Sequence, residues 1–413
     1  MTETSGRYDR RNFFFNASEG VFFVTGSSLI SSQTVFPALI SKLGGDNTVI
    51  GAFGVIVWLG LLLPQIFAAR YTQTLPWKKP WAIRFGAAQR FVILCIAAAI
   101  VFSRSFSVPI TLTIILSLFA INQILTGITT PGWFDMYAKM TPAHHRGRLI
   151  GVRTALAGIG AFGCGFALTW ILARFGFPFN YGIVFAGAFL FQFTSILLQS
   201  RLVEEYSSKT LPRQPLTEYF RQLPGIVHNN RQFRSFLFAS VFLIVATIPL
   251  NFFTVYGLKR FQGNESIVGQ FTLAIVAGQF IGSLLIGFVA DRFGNRQALL
   301  VASVAMVLAS VWALLASSLI VFELVFIFSG MNLGSESMIR SNLAIEYGPV
   351  EQRSTYIGLM NTLLAPFYAL SLLAGWLIDK AGYGVVFGIG AASSIIGIFL
   401  LMTIVSEPRF PKR

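Results

Sequence analysis

The chain predicts an all-α membrane protein, with twelve transmembrane helices in two pseudo-symmetric six-helix bundles. Three observations point there. About a dozen long apolar runs are separated by short loops, basic residues concentrate in every second loop, and the two halves of the chain repeat one another. The 413 residues are 54% hydrophobic and 11% charged, with mean hydropathy +0.69. Such a composition leaves no room for a large soluble domain. A span needs about 20 apolar residues, so twelve fit and fourteen would be cramped.

The spans fall at roughly 12–40, 49–71, 81–103, 108–138, 148–174 and 179–202, then 234–258, 266–290, 297–317, 319–347, 354–378 and 383–405. The first run is too long for a signal-peptide core and lacks a clear cleavage site, so it reads as an uncleaved span. Arg7, Arg10, Arg11, Lys78, Lys79, Lys139, Arg146, Arg148, the basic residues from Arg201 to Arg234, Arg292, Arg296, Arg353, Lys412 and Arg413 fall on one side. Lys42, Arg104, Arg174, Lys259, Arg260 and Lys380 fall on the other. By the positive-inside rule the split of about 22 to about six places both termini in the cytoplasm and the chain, multi-pass, in the cytoplasmic (inner) membrane.

The net charge of +15 raises nucleic acid as a partner. Basic residues scattered over loops instead of one face exclude it and suit anionic lipid. Cys95 and Cys164 both lie in apolar runs, which implies neither a disulfide framework nor a metal cluster. His144-His145 lacks further ligands, so no metal and no cofactor is expected.

The expected division is an N-terminal six-helix bundle over 1–203, a cytoplasmic linker over 204–233 and a C-terminal six-helix bundle over 234–413. Within the linker Leu216, Tyr219, Phe220 and Leu223 recur at helical spacing, which predicts a short amphipathic helix on the membrane surface. Asp46 to Phe53 aligns with Asn264 to Phe271, and the same register sets Gly60 on Gly278. Farther on, Pro142, Arg146, Ile150, Gly151 and Leu156 match Pro349, Arg353, Ile357, Gly358 and Leu363. Parallel six-span repeats point to a transporter with its site between the halves.

The eighth span closes on Gly287-Phe-Val-Ala-Asp291-Arg292-Phe-Gly294-Asn-Arg296. This resembles the Gly-x-x-x-Asp-Arg-x-Gly-Arg-Arg signature of the major facilitator superfamily. Span number, repeat and linker extend the resemblance over nearly the whole chain. The resemblance implies a gating loop, with Gly287 allowing close helix approach and Asp291 facing the positive end of a neighbouring helix near Arg148. The first-half copy departs from the pattern, with Ala69, Gln73, Thr74 and Pro76 where Gly, Asp, Arg and Gly would stand. Only Lys78 and Lys79 keep its basic end.

The resemblance also implies that spans 1, 4, 7 and 10 line a central cavity. On these the candidate substrate-binding or coupling residues are Glu19, Gln33, Gln123, Trp133, Asn251, Asn332, Glu336 and Arg340. Glu19, Gly26 and Gln33 are each two helical turns apart and so share a face of span 1. Ser329, Asn332, Glu336 and Arg340 form a similar stripe on span 10. Burying an ionised side chain at mid-bilayer costs at least about 2.5–3.5 kcal/mol, so Glu19 and Glu336 stand out among the 16 acidic residues. Glu336 and Arg340, one turn apart, can pair. Glu19 has no partner nearby in sequence, so it needs Arg340, a cation from another helix, or a proton. Asp135, Arg153 and Glu346 lie nearer the cytoplasmic face and read as loop-gate or interfacial pairs.

Gly158-Ile-Gly160-Ala-Phe-Gly163 fits a dinucleotide fingerprint but lies inside an apolar span with no strand before it, so close helix packing is expected. No P-loop occurs, which makes transport secondary. Neither a nucleophile–base pair nor a metal cluster appears, so no enzyme is expected. The function expected is alternating-access transport of a small-molecule organic solute, with H⁺ as the coupling ion, by a monomer in contact with membrane lipids. An efflux pump for amphipathic drug-like compounds, or a non-transporting scaffold or receptor on the same fold, are the alternatives.

Overall fold

The computed structural model describes residues 8–205, 224–349 and 352–409. The expected linker helix at Leu216 to Leu223, and the terminal Arg7, Lys412 and Arg413, lie outside the described residues. The helices are α1 (Asp9–Leu29), α2 (Val35–Lys42), α3 (Asn47–Gln73), α4 (Lys79–Val101), α5 (Val108–Met140), α6 (Ala143–Arg174) and α7 (Phe179–Ser200). They continue with α8 (Arg231–Thr247), α9 (Leu250–Arg260), α10 (Ile267–Phe293), α11 (Asn295–Leu315), α12 (Leu319–Leu333), α13 (Glu336–Tyr347), α14 (Arg353–Leu364), α15 (Leu370–Ala381) and α16 (Tyr383–Thr403). No strand occurs among the described residues. Helices satisfy their own backbone, which is what a segment in hydrocarbon requires.

Among the described residues 11 stretches are long and apolar enough to cross a membrane. The expected first span is not among them, because α1 carries Asp9, Arg10, Arg11, Asn12, Asn16 and Glu19. That span is also broken. The helix ends at Leu29 and resumes at Val35, so Gln33 sits in the turn and not on the face shared by Glu19 and Gly26. Span 7 breaks at Ile248–Pro249, since proline lacks the N–H that would continue the ladder. The register that sets Gly60 on Gly278 also sets Ile30 on Ile248, so the two breaks are repeat equivalents. Span 10 breaks at Gly334–Ser335, separating Ser329 and Asn332 on α12 from Glu336 and Arg340 on α13. Span 11 passes through a 3₁₀ turn at Ala365–Ala369 around Pro366.

By contacts the chain forms two compact units, 1–31 with 60–214, and 32–59 with 215–413. The division follows packing and falls within α3.

In the first unit α1 packs on α6 and α7, and α4 on α5 and α7. A Cβ on Gly26 of α1 would lie 2.9 Å from the Ala188 carbonyl of α7, and one on Gly127 of α5 would clash with the Leu61 carbonyl. Small residues let backbones meet where lipid offers no hydrophobic drive. Asn122 donates to the Gln89 carbonyl at 2.9 Å, tying α5 to α4. Of the fingerprint glycines only Gly160 fits the packing expectation, meeting Thr25 of α1; Cβ atoms at Gly158 and Gly163 would meet nothing within 4 Å.

In the second unit α10 lies against α12 through four glycines, Gly278 and Gly282 on α10, and Gly330 on α12 with Gly334 capping its end. Each would bring a Cβ against the partner's backbone. Segment 32–59 is held by side-chain and backbone contacts. Thr34 and Thr272 hydroxyls lie 2.7 Å apart, and Thr254 donates to the Gln33 carbonyl at 2.8 Å. Asp379 of α15 accepts from Asn47 Nδ2 at 2.6 Å and from the Thr48 N–H and hydroxyl at 3.1 and 3.0 Å, a carboxylate at the positive end of α3.

Candidate functional site

Among the described residues the first unit holds a carboxylate–guanidinium contact, a buried Glu19 against a partly buried Arg153. Glu19 on α1 is 3% exposed, and its Oε2 lies 2.8 Å from Nη1 of Arg153 on α6. The same nitrogen donates to the Asn16 side chain at 2.9 Å and the Asn16 carbonyl at 3.3 Å. The guanidinium lies 4.8 Å from the ring centroid of Trp133, which stacks on Tyr137 at 5.6 Å. Gly20 makes room, since a Cβ there would strike the Arg153 side chain. Thus Arg153 supplies the cation that Glu19 lacked in the sequence, while Arg340 meets Glu336 instead. Trp133 joins the same cluster, whereas Gln123 lies on the α3–α5 seam, where a Cβ on Gly60 would meet its Cβ at 2.9 Å.

Arg90 on α4 is a fully buried guanidinium whose hydrogen-bond acceptors among the described residues are all neutral. It donates to the Gln192 and Gly86 carbonyls, Gln89 Oε1 and Ser195 Oγ at 2.9–3.1 Å, and lies 5.1 Å from the Phe23 ring centroid.

In the second unit Glu336 opens α13 and lies 3.0 Å from Arg340 one turn on; both are buried. Arg340 Nη2 donates to the Tyr368 hydroxyl at 3.2 Å, and Tyr368 stacks on Trp58 with centroids 4.7 Å apart and planes at 17°. Glu336 Oε1 and Arg340 Nε have no hydrogen-bond partner among the described residues, so the ionic contact is not aligned as a hydrogen bond. Nearby, Asn251 donates to Ser371 Oγ at 3.0 Å, and both crowd Gly54. Asn332 donates to the Ala302 carbonyl of α11 at 3.0 Å, which makes it a seam residue. Tyr368 and Trp58 carried no polar pattern in the sequence; only their neighbours in space mark them.

The Gly287 to Arg296 motif closes α10, turns at Gly294 and opens α11. Gly294 has φ +95°, a conformation that favours glycine, while Asp291 and Arg292 are exposed. A Cβ on Gly287 would meet nothing within 4 Å, so the close approach expected there is absent and belongs to Gly278 and Gly282 instead. Arg296 donates from its side chain to the Leu401 and Met402 carbonyls at 2.7 and 2.9 Å. Its backbone N–H donates to Glu407 Oε2 at 2.8 Å. Burial pushes the Glu407 carboxyl up, against the N–H groups of Arg296 and Arg409.

The first unit has the matching arrangement. Glu204, just past α7, accepts from the backbone N–H groups of Lys78 and Lys79 at 2.9 and 3.0 Å and from Lys139 Nζ at 2.7 Å. Lys78 is the repeat equivalent of Arg296. Burial pushes the Lys78 ammonium down, and its Nζ donates to the Thr72 carbonyl. The degenerate first loop therefore keeps its helix-capping carboxylate. A glutamate shortly after the last span of each half was the missed signal.

The repeat and the 11 helices long and apolar enough to cross a membrane among the described residues mark a polytopic, all-α membrane protein. The model described as Major Facilitator Superfamily matches residues 20–365 and 258–413, and the chain belongs to that superfamily. Over 182 residues it is 30% identical to a cis,cis-muconate transport protein of Acinetobacter baylyi. That match covers 42% of this chain and 43% of the relative, less than half of either. Among solved structures a mutant form of the nucleoside transporter NupG aligns with TM-score 0.72 at 13% identity, over 97% of this chain and 100% of that one. A D-xylose-proton symporter aligns with TM-score 0.66 at 14% identity, over 96% and 98%. At such identities these two speak for the fold alone.

Proposed function

We propose that the chain is a secondary active transporter, moving a small organic solute by alternating access and coupling it to protons. The observation that carries this reading is a buried carboxylate–guanidinium contact inside the spans of each unit, Glu19–Arg153 and Glu336–Arg340. Intramembrane charges are costly, and charges that remain mark solute or proton paths. Trp133 and Asn251 are assigned to the surroundings of that path, Gln33, Gln123 and Asn332 to the turn and helix seams that support it, and the loop from Gly287 to Arg296 to gating. The relative named for cis,cis-muconate makes an organic acid the first solute to try. The protein is assigned to the inner membrane as a monomer with cytoplasmic termini and a six-plus-six division about 204–233.

Proteoliposomes with an imposed pH gradient test the reading. Labelled muconate should accumulate with the gradient, and Glu19→Gln should lose accumulation while sparing exchange. Uptake indifferent to the gradient removes proton coupling, and full accumulation by the variant removes Glu19 from it.

A further inference from the structure

The two buried charge pairs differ in how completely they are satisfied. Arg153 meets Glu19, both acceptors of Asn16 and the face of Trp133. Arg340 has one ionic contact through Nη1 and one hydrogen bond to Tyr368, while its Nε and Glu336 Oε1 have no hydrogen-bond partner among the described residues. A guanidinium is a planar fork built to bind a carboxylate through two parallel N–H groups. Glu336, tethered one turn away on the same helix, meets it through a single nitrogen. Leaving buried donors and acceptors unmade costs free energy that a better-placed carboxylate would recover.

The surroundings favour one kind of acid. The Tyr368 hydroxyl accepts from the fork, and the Tyr368 ring stacks nearly parallel on Trp58, which is only half-buried. Such a wall suits a flat ring or conjugated chain. The fork can also exchange partners without stranding a charge. Glu336 is the first residue of α13, where free backbone N–H groups at a helix N-terminus favour a carboxylate.

We infer that Arg340, with Tyr368 and Trp58 beside it, is the seat for the carboxylate of a flat, conjugated or aromatic organic acid. Glu336 occupies that seat as an internal stand-in, which the solute carboxylate displaces. The inference rests on the transport reading and names the solute class and the competing residue.

Thermal shift and tryptophan fluorescence on the purified full chain in detergent test it, with benzoate, cis,cis-muconate and neutral benzamide as probes. A carboxylate should bind and benzamide should not, and Arg340→Lys should weaken binding at least tenfold. Glu336→Gln removes the competitor and should tighten binding severalfold, an outcome that a purely structural ion pair would not give. If Arg340→Lys does not fold, the Glu336→Gln measurement decides by itself. Weaker binding in Glu336→Gln, equal binding of benzamide, or no carboxylate binding to the wild type overturns the seat. Counterflow separates the two readings. Movement of a neutral solute without carboxylate binding leaves transport standing and removes the seat, whereas carboxylates bound but not moved do the reverse.

Discussion

Removing the two members of the Glu19–Arg153 pair should have unequal costs. Arg153→Met leaves Glu19, 3% exposed, as a carboxylate without its cation, and breaking a buried pair this way costs about 3–5 kcal/mol. Glu19→Gln leaves Arg153 with the Asn16 side chain at 2.9 Å, the Asn16 carbonyl at 3.3 Å and Trp133 at 4.8 Å. One charge-assisted hydrogen bond is lost, about 1.5–3 kcal/mol. The double variant strands no charge and should recover most of the Arg153→Met loss, since neutral replacements of buried pairs are often tolerated. Unfolding free energies from a denaturant titration in mixed micelles complete the cycle. If Glu19→Gln costs as much as Arg153→Met, or the double variant costs their sum, the two side chains are not acting as a pair.

The glycines should separate by packing and not by motif. Gly278→Ala meets the Ile327 backbone and should cost about 1–3 kcal/mol, whereas Gly287→Ala meets nothing and should be neutral or gain up to about 1 kcal/mol, both read from melting midpoints. For Glu407 the pKa is raised on folding from its ordinary 4.5, so its stabilising contribution is complete below that value and is lost as pH rises through the folded one. Acidifying from about pH 7 to about pH 5 should therefore raise wild-type stability relative to Glu407→Gln. A gap that narrows instead reverses the assignment. Glu204→Ala strips the cap from the Lys78 and Lys79 N–H groups and should cost about 1–2 kcal/mol, measured the same way.

Much of the fold was legible because a bilayer writes its demands locally. A span needs length and apolarity, a loop needs the right charge, and the repeat preserves register, so span positions and the motif at Asp291 could be read residue by residue. The run 234–258 also reads as one span, and its break at Pro249 shows only in the structure. The break after Leu29 likewise falls in a run read as continuous. Close glycine approach was expected at Gly287 and the Gly158 to Gly163 run, yet apart from Gly160 it falls elsewhere.

By itself the sequence determined the fold class and the positions of most spans, because each follows from a window of one span or one loop. Only the tertiary structure decided which charges neutralise one another. Arg153 reaches Glu19 across 134 positions, and Tyr368 and Trp58 gather beside Arg340 from three separate segments. Such pairings depend on which helices share a seam, a property of several distant segments at once that no local pattern records.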